Sequence, residues 1–497
     1  MSTPFVPPIT NADVIPPAQP GVKKPRTVVL CFDGTGNEFG TDNSNVIKFF
    51  SLLQKDDHNE QVCYYQAGIG TYRKGNHSTG PLVSKILSLS DEAFAWSLDG
   101  HVMDGYKFLM DKYQSGDKIC LLGFSRGAYT ARSLAGMVQK VGLLPAGNEE
   151  QVPFAYKMYQ RTDKAGWAQS GAFKKAFSMD VDIEFVGVWD TVGSVGLISR
   201  RLPFVSSNNA IRYFRHALSL DERRAKFKAN QFNRPTEAEQ KLGVQPGEMP
   251  KSGRFSPTFE SFIKKWKERK SDAQIEEEEQ LSEEERFNVE EAQMRPTDVY
   301  EVWFAGTHGD VGGGCEPDSS RHNLARISLR WMIRECFKCN TGIRFHSSML
   351  RKVGLEPESL YPIVETRPPA LFNLPASRPN HGRTETSVSA KTLVDPSDLT
   401  EEIEDLKDAK TTLHDQLKLA KWWWIVEILP LTQRYQRDDN DEWEEQPVIN
   451  MGRGRDVPHH EKFNVHRSVQ IRMEAKDLLG GPYEPSATFD QKPNYVD

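Results

Sequence analysis

Lys118 to Phe124 (KICLLGF) is a short apolar run that breaks at once into Gly123-Phe124-Ser125-Arg126-Gly127. From Ser125 to Val141 the apolar residues then recur at helical spacing. A buried strand that enters a helix across a glycine-flanked turn leaves few folds open, because such a helix must lie back against its own sheet. The alternation recurs along the chain. Thr27–Phe32, Gln61–Tyr65, Ile183–Trp189 and Val299–Ala305 read as strands. Asp91 to Tyr113, with Leu98, Val102, Tyr106 and Met110 on one stripe, reads as an amphipathic helix. This order predicts an α/β fold, mainly a parallel sheet with helices on both faces.

Residues 123–127 match GxSxG, and their strand-to-helix context gives the match its weight. It predicts an α/β-hydrolase-like architecture. Ser125 would sit on a strained turn with its hydroxyl raised above the sheet, and the helix N-terminus behind it would offer the Arg126 N–H to an oxyanion. The alternative is a glycine-rich turn with a capping serine. A serine nucleophile needs an imidazole to take its proton and an acid to orient that imidazole, in the chain order Ser, Asp, His for this fold. Asp190 follows the strand ending Val188-Trp189. His308 follows the strand ending Phe304-Ala305, in the run Gly306 to Gly314. Asp310 competes with Asp190 for the orienting role, or forms a turn with the glycines after it. His216 lies in what reads as a helix, as a structural histidine, and His322 has no strand before it.

The loop Asp33-Gly34-Thr35-Gly36-Asn37 follows the first strand. It resembles the nucleophile loop of haloacid-dehalogenase-type phosphatases, but the position of their aspartate nucleophile is Cys31 here, and covalent phosphate chemistry needs the carboxylate. The loop is expected instead to bring a second oxyanion donor, Gly34 or Thr35, beside the serine, with Asp33 shaping it. An ordinary Asp-Gly turn is the alternative. A metal-dependent phosphoesterase using Asp33, His308 and Asp310 is a rival reading, as is a catalytically silent hydrolase-fold scaffold.

The chain has 497 residues and a formal net charge of −6. That balance lacks the cationic surplus nucleic acid demands, so no nucleic-acid partner is expected. The proline-broken N-terminus is not a secretory signal, no apolar run is long enough to span a bilayer, and the cysteines read as reduced thiols. The expected setting is cytoplasmic, with at most peripheral membrane contact. Cys336 and Cys339 have CxxC spacing without a second ligand pair, so no metal and no cofactor is expected. The expected organisation is a disordered Pro-rich arm at 1–25, a catalytic domain at 26–345 with a charged insertion near 235–295, and a C-terminal helical extension at 346–497 packing on that domain. Leu399 to Leu429 reads as a helix. Its tryptophans, Trp422, Trp423 and Trp424, are expected in the core, the alternative being an amphipathic piece that caps a lipid cleft or touches a bilayer.

Six blocks in order carry a resemblance: Phe32–Asn37, Gly68–Thr71, Gly123–Ala128, Val186–Gly193, His216–Leu218 and Trp303–Gly314. Together they are similar to a family of predicted α/β-hydrolases formerly of unknown function. That family also supplies the catalytic domain of bacterial type VI secretion phospholipase effectors, and this chain resembles its stand-alone fungal members. The resemblance implies a Ser125, Asp190, His308 triad and hydrolysis of carboxylic esters, including phospholipids or other lipid esters.

Overall fold

The computed structural model describes residues 14–17, 25–34, 37, 39–68, 91–192, 202–205, 208, 210–233, 242–244, 248–249, 296–374, 400–436, 443–458 and 462–497. Twelve strands are named among them. In chain order they are β1 (Val14–Ile15), β2 (Thr27–Phe32), β3 (Gln61–Gln66), β4 (Lys118–Phe124), β5 (Ile183–Trp189), β6 (Ile211–Ser219), β7 (Asp298–Phe304), β8 (Phe345–His346), β9 (Pro430–Gln436), β10 (Trp443–Ile449), β11 (Asn464–His466) and β12 (Asn494–Val496). Eight form one sheet in the order β3-β2-β4-β5-β6-β7-β11-β12, with every neighbouring pair parallel.

β2 is buried throughout and β4 nearly so, as parallel strands with two covered faces must be. Val28, Leu30 and Phe32 point into one core, against α2 (Asp91–Lys112), α3 (Arg126–Val141), α4 (Val152–Gln160) and α5 (Lys164–Phe177). Val29 and Cys31 point into the other, against α1 (Asn45–Leu52) and α7 (Ala325–Lys338). This period-two division lets both helix layers bury apolar surface on a single strand. A short helix, α6 (His308–Gly312), follows β7 closely.

From β2 the chain moves outward to β3. It then returns to β4 on β2's other side, and the later strands proceed in that second direction. The carboxyl ends of β2 and β4 therefore flank the switch point of the sheet, where a crevice opens in folds of this class.

Several expectations are corrected. His216 lies in β6, not in a helix. β6 carries Arg215 and His216 in the sheet interior, each with an acidic partner, Glu335 for the arginine and Glu301 for the histidine, and these polar side chains obscure its strand pattern. Residues 346–497 do more than pack on the domain: β11 and β12 extend the same sheet. Two helices from this part, α8 (Glu401–Ala409) and α9 (Arg467–Glu474), pack on each other. The helix read over Leu399–Leu429 is broken after Ala409 into short turns at Gln416–Leu419 and Trp424–Glu427. In the arm read as disordered, Val14 and Ile15 pair antiparallel with β8. Most of the charged insertion near 235–295 lies outside the described residues. Among the described residues no helix is long and apolar enough to cross a membrane.

Candidate active site

Ser125 stands between β4 and α3 at φ 59° and ψ −122°, a conformation that L-residues rarely adopt. Its N–H donates to the Trp189 carbonyl across the β4–β5 pair at 3.0 Å. The flanking glycines are required by space. A Cβ on Gly127 would lie 2.3 Å from the carbonyl oxygens of both Phe32 and Asp33, and one on Gly123 would lie 2.6 Å from the Gly127 oxygen. Without side chains there, α3 starts hard against the ends of β2 and β4, and its first amide, that of Arg126, lies next to the serine.

Asp190 follows β5 directly and is fully buried, also at positive φ, 40°. His308 opens α6 just beyond β7. Because β4, β5, β6 and β7 are neighbours, these three positions, far apart in the chain, meet at one rim. His308 Nδ1 is 2.5 Å from Asp190 Oδ2, and His308 Nε2 is 2.8 Å from Ser125 Oγ. An ionised carboxylate can only accept, so Nδ1–H donates to Asp190 and Nε2 keeps its lone pair toward the hydroxyl. The ring is wedged between Phe124 and Phe227, with centroids at 4.6 and 4.9 Å. Burial lowers the pKa of His308 below the ordinary imidazole value despite the pull of Asp190, leaving the ring neutral near pH 7.

A fourth residue, Arg455, meets this group and was not foreseen. Its Nη1 donates to Asp190 Oδ1 at 2.5 Å and its Nη2 to Asp190 Oδ2 at 2.9 Å. The Ser219 N–H also donates to Oδ1. Burial alone would raise Asp190, but Arg455 and His308 together hold its carboxyl far below the usual carboxylate range. The only sequence signal for Arg455 is a glycine-spaced basic pair, Gly452-Arg453-Gly454-Arg455, in a polar tail.

The loop after β2 comes close to the serine, since a Cβ on Gly34 would sit 3.3 Å from Ser125 Cβ. The Gly34 N–H, however, donates to its neighbour Asp33 at 2.7 Å. That amide is engaged within the loop in this arrangement. Thr35 lies outside the described residues. Asp33 is buried, accepts from Tyr65 and Asn37 as well, and has its pKa raised by burial.

Asp310 does not orient His308. Its Oδ2 accepts from the Thr307 N–H and hydroxyl, closing a capping box on α6, and its Oδ1 accepts from His414 Nδ1 at 2.7 Å. His216 accepts the Thr191 N–H at Nε2 and donates from Nδ1 to Glu301, beneath the Asp190 turn.

Two groups of side chains with ligating atoms in mutual reach occur among the described residues: Asp310, Cys315 and His414, and His322, Glu404 and Asp408. The first is internally hydrogen-bonded, and in the second Arg326 pairs with both carboxylates. Asp33, His308 and Asp310 do not form such a group, and neither Cys336 nor Cys339 belongs to one.

The tryptophans are not core residues, contrary to expectation. Trp422 and Trp423 are half-buried and stacked at 4.1 Å, and Trp424 is 39 % exposed. Trp423 meets Phe227 at 5.6 Å, and Phe227 meets His308. Beside them Leu419, Ile425, Ile428, Leu429, Ile449 and Met451 are exposed. Ile449 lies opposite Pro430 and the Met451 N–H donates to the Glu427 carbonyl, so these two residues lie beside the turn that carries Ile428 and Leu429.

Comparison with known proteins adds to this geometry. The sequence profile of the family described as T6SS, Phospholipase effector Tle1-like, catalytic domain, matches residues 26–335. The uncharacterized protein YEL023C of Saccharomyces cerevisiae is 30 % identical, over 95 % of this chain and 81 % of its own length. An uncharacterized protein from Pseudomonas aeruginosa is a solved structure similar at 17 % identity and TM-score 0.33, over 68 % of this chain. The Tle1 effector bound to the VgrG spike of the type 6 secretion system is similar at 17 % identity and TM-score 0.25, over 45 % of this chain. The chain spans half the length of each of these two solved chains.

Proposed function

This chain belongs to the family of T6SS phospholipase effector Tle1-like catalytic domains, and we propose on that footing that it is a serine hydrolase of carboxylic esters, with lipid esters such as phospholipids as its substrate class. The observation that carries the reading is the chain of contacts from Ser125 through His308 to Asp190, at 2.8 and 2.5 Å.

In the proposed reaction, His308 Nε2 takes the hydroxyl proton as Ser125 Oγ attacks the ester carbonyl carbon. Negative charge moves to the carbonyl oxygen, and the Arg126 N–H at the start of α3 donates to it. As the tetrahedral intermediate collapses, the ester C–O bond breaks and the imidazolium gives its proton to the leaving alcohol, which leaves an acyl-serine. Water then attacks the acyl carbon while Nε2 takes its proton. The serine oxygen leaves with that proton, and the carboxylic acid departs. Asp190 holds the ring and stays ionised throughout.

The exposed aliphatic and tryptophan surface supports a lipid substrate. It joins the candidate site through Trp423 and Phe227, so a surface that touches a bilayer there would bring ester groups to the serine. The test is labelling with a fluorophosphonate probe, followed by assay on aryl esters and phospholipid vesicles. Wild type should label and Ser125→Ala should not. Equal labelling of the two proteins would remove the serine from the mechanism.

A further inference from the structure

We propose that Arg455 is a positioning residue of this site, carried in from outside the family-matched segment to grip the Asp190 carboxylate by both oxygens and keep it aimed at His308. The inference rests on the ester-hydrolase reading and adds a fourth member to it.

Each of the three guanidinium nitrogens is spent at the site. Besides Asp190, Nη1 donates to the Ser219 carbonyl at 3.1 Å, and Nε and Nη2 donate to the Phe227 carbonyl at 3.2 and 2.5 Å. One side chain therefore fixes the acid on one side and the residue whose ring walls His308 on the other. The backbone behind it is also built. The Arg455 carbonyl accepts from Thr488 N–H, and Val457 N–H donates to the Thr488 carbonyl. A Cβ on Gly454 would lie 1.7 Å from the Ser486 oxygen, so two stretches of the C-terminal segment are pressed together there. Asp221 ties this strap to the turn before His308, accepting from Ser486 N–H, Tyr483 OH and Gly306 N–H.

Other charged or titratable groups surround the triad: Lys228, near Arg455, donates to the Gly454 carbonyl, and Arg132, near His216, donates to the Val205 carbonyl. Glu222 accepts from the His308 N–H and binds Arg224, and His216 binds Glu301. Without the guanidinium, Asp190 would keep, among the described residues, His308 and the Ser219 amide as partners in a fully buried place. The Asp190–His308 pair would then hold its shared proton more tightly, because a neighbouring cation has gone. The reactive form, with the imidazole neutral and the carboxylate ionised, would appear only at higher pH.

The experiment follows hydrolysis of a soluble aryl ester by wild type, Arg455→Met and Arg455→Lys across pH. In parallel, the far-downfield imidazole N–H signal of His308 is titrated in the Ser125→Ala background, where no turnover is needed. Arg455→Met is expected to lower kcat by about 10- to 1,000-fold, short of the loss from removing the acid itself. KM should stay unchanged, and the acid-limb midpoint should move up in both rate and spectrum. Arg455→Lys, which keeps the charge without the two-point grip, should hold the midpoint near wild type and lose part of kcat. Unchanged kcat and midpoint in a folded Arg455→Met protein would overturn the proposal. If that variant does not fold, wild-type kcat in Arg455→Lys at every pH would overturn it instead. If wild type neither labels nor turns over, the hydrolase reading fails. The proton titration then judges the Arg455 contact separately.

Discussion

Ser125 and Asp190 end neighbouring strands of the sheet, and both hold positive φ, 59° and 40°, where a side chain is disfavoured. Their backbones are hydrogen-bonded in sequence across the sheet: Ser125 N–H to Trp189 O, and Asp190 N–H to Ala217 O at 2.7 Å. Strain of this kind costs of order 1–3 kcal/mol per residue and survives only where surrounding contacts fix it. Here it turns the hydroxyl and the carboxylate toward the same imidazole.

This strain is measurable by comparing two variants that both lack the hydroxyl. Ser125→Ala keeps a Cβ at positive φ, whereas Ser125→Gly does not. Relief of about 1–3 kcal/mol, less about 0.5–1 kcal/mol for glycine's extra freedom in the unfolded chain, should leave Ser125→Gly the more stable by about 1 kcal/mol. Denaturant titration of the two proteins checks this, and an alanine variant at least as stable as the glycine variant would contradict it.

The acidity of His308 sets a pH prediction. Burial lowers its pKa below the ordinary 6.5, and the attacking step needs the neutral ring. As pH rises, the fluorophosphonate labelling rate should climb with a midpoint below 6.5 and be flat by neutrality. A midpoint above 6.5 in the wild-type protein would mean that the Asp190 carboxylate outweighs burial at this ring.

The exposed surface beside the site predicts a split between substrates. Ile425 and Ile428 are 51 % and 55 % exposed, so replacing both by serine should change folding stability by only a few tenths of a kcal/mol. Each would forfeit about 1 kcal/mol of insertion into a lipid surface. Together the two changes should reduce hydrolysis of vesicle phospholipid roughly tenfold or more, with a soluble aryl ester hydrolysed as before. An equal loss on both substrates would place these residues in folding rather than in lipid contact.

The positions of Ser125 and His308 at strand ends were legible in the sequence because each announces itself locally, at the end of an apolar strand and beside glycines. The sheet was legible for the same reason, since β2, β4 and β5 are nearly uninterrupted apolar runs. β6 was not, because its interior arginine and histidine find their acidic partners, Glu335 and Glu301, far along the chain. Arg455 lies 265 positions from Asp190, and nothing in its neighbourhood encodes that meeting. The loop's approach to the serine is a matter of space, which glycine signals, while the Gly34 N–H pointing to Asp33 is a matter of the Asp33 rotamer, which glycine does not signal.

The two aspartates near His308 can be separated by paired substitutions. In Asp190→Asn the amide nitrogen can face Nδ1, which favours the tautomer with its proton on Nε2. The ring then offers no lone pair to the serine, and the Arg455 guanidinium stands buried beside a neutral group. On the proposed triad mechanism, loss of the orienting acid should cost about 10⁴ in kcat. Asp310→Asn has different consequences. Asp310 holds the Thr307 cap of α6 and pairs with His414, whose pKa its hydrogen bond raises despite partial burial. The substitution weakens an ion pair and a helix start, at a cost of about 1–3 kcal/mol in stability. With Nδ1 of His308 still held by Asp190, kcat should stay within about tenfold of wild type, a bound that follows from keeping the orienting acid, and the pH midpoint should not move. Steady-state rates and unfolding midpoints on the same two proteins distinguish the roles. If Asp310→Asn were the variant that lost four orders of magnitude, the acid would be Asp310, and the contact between Asp190 and His308 would have no part in the chemistry.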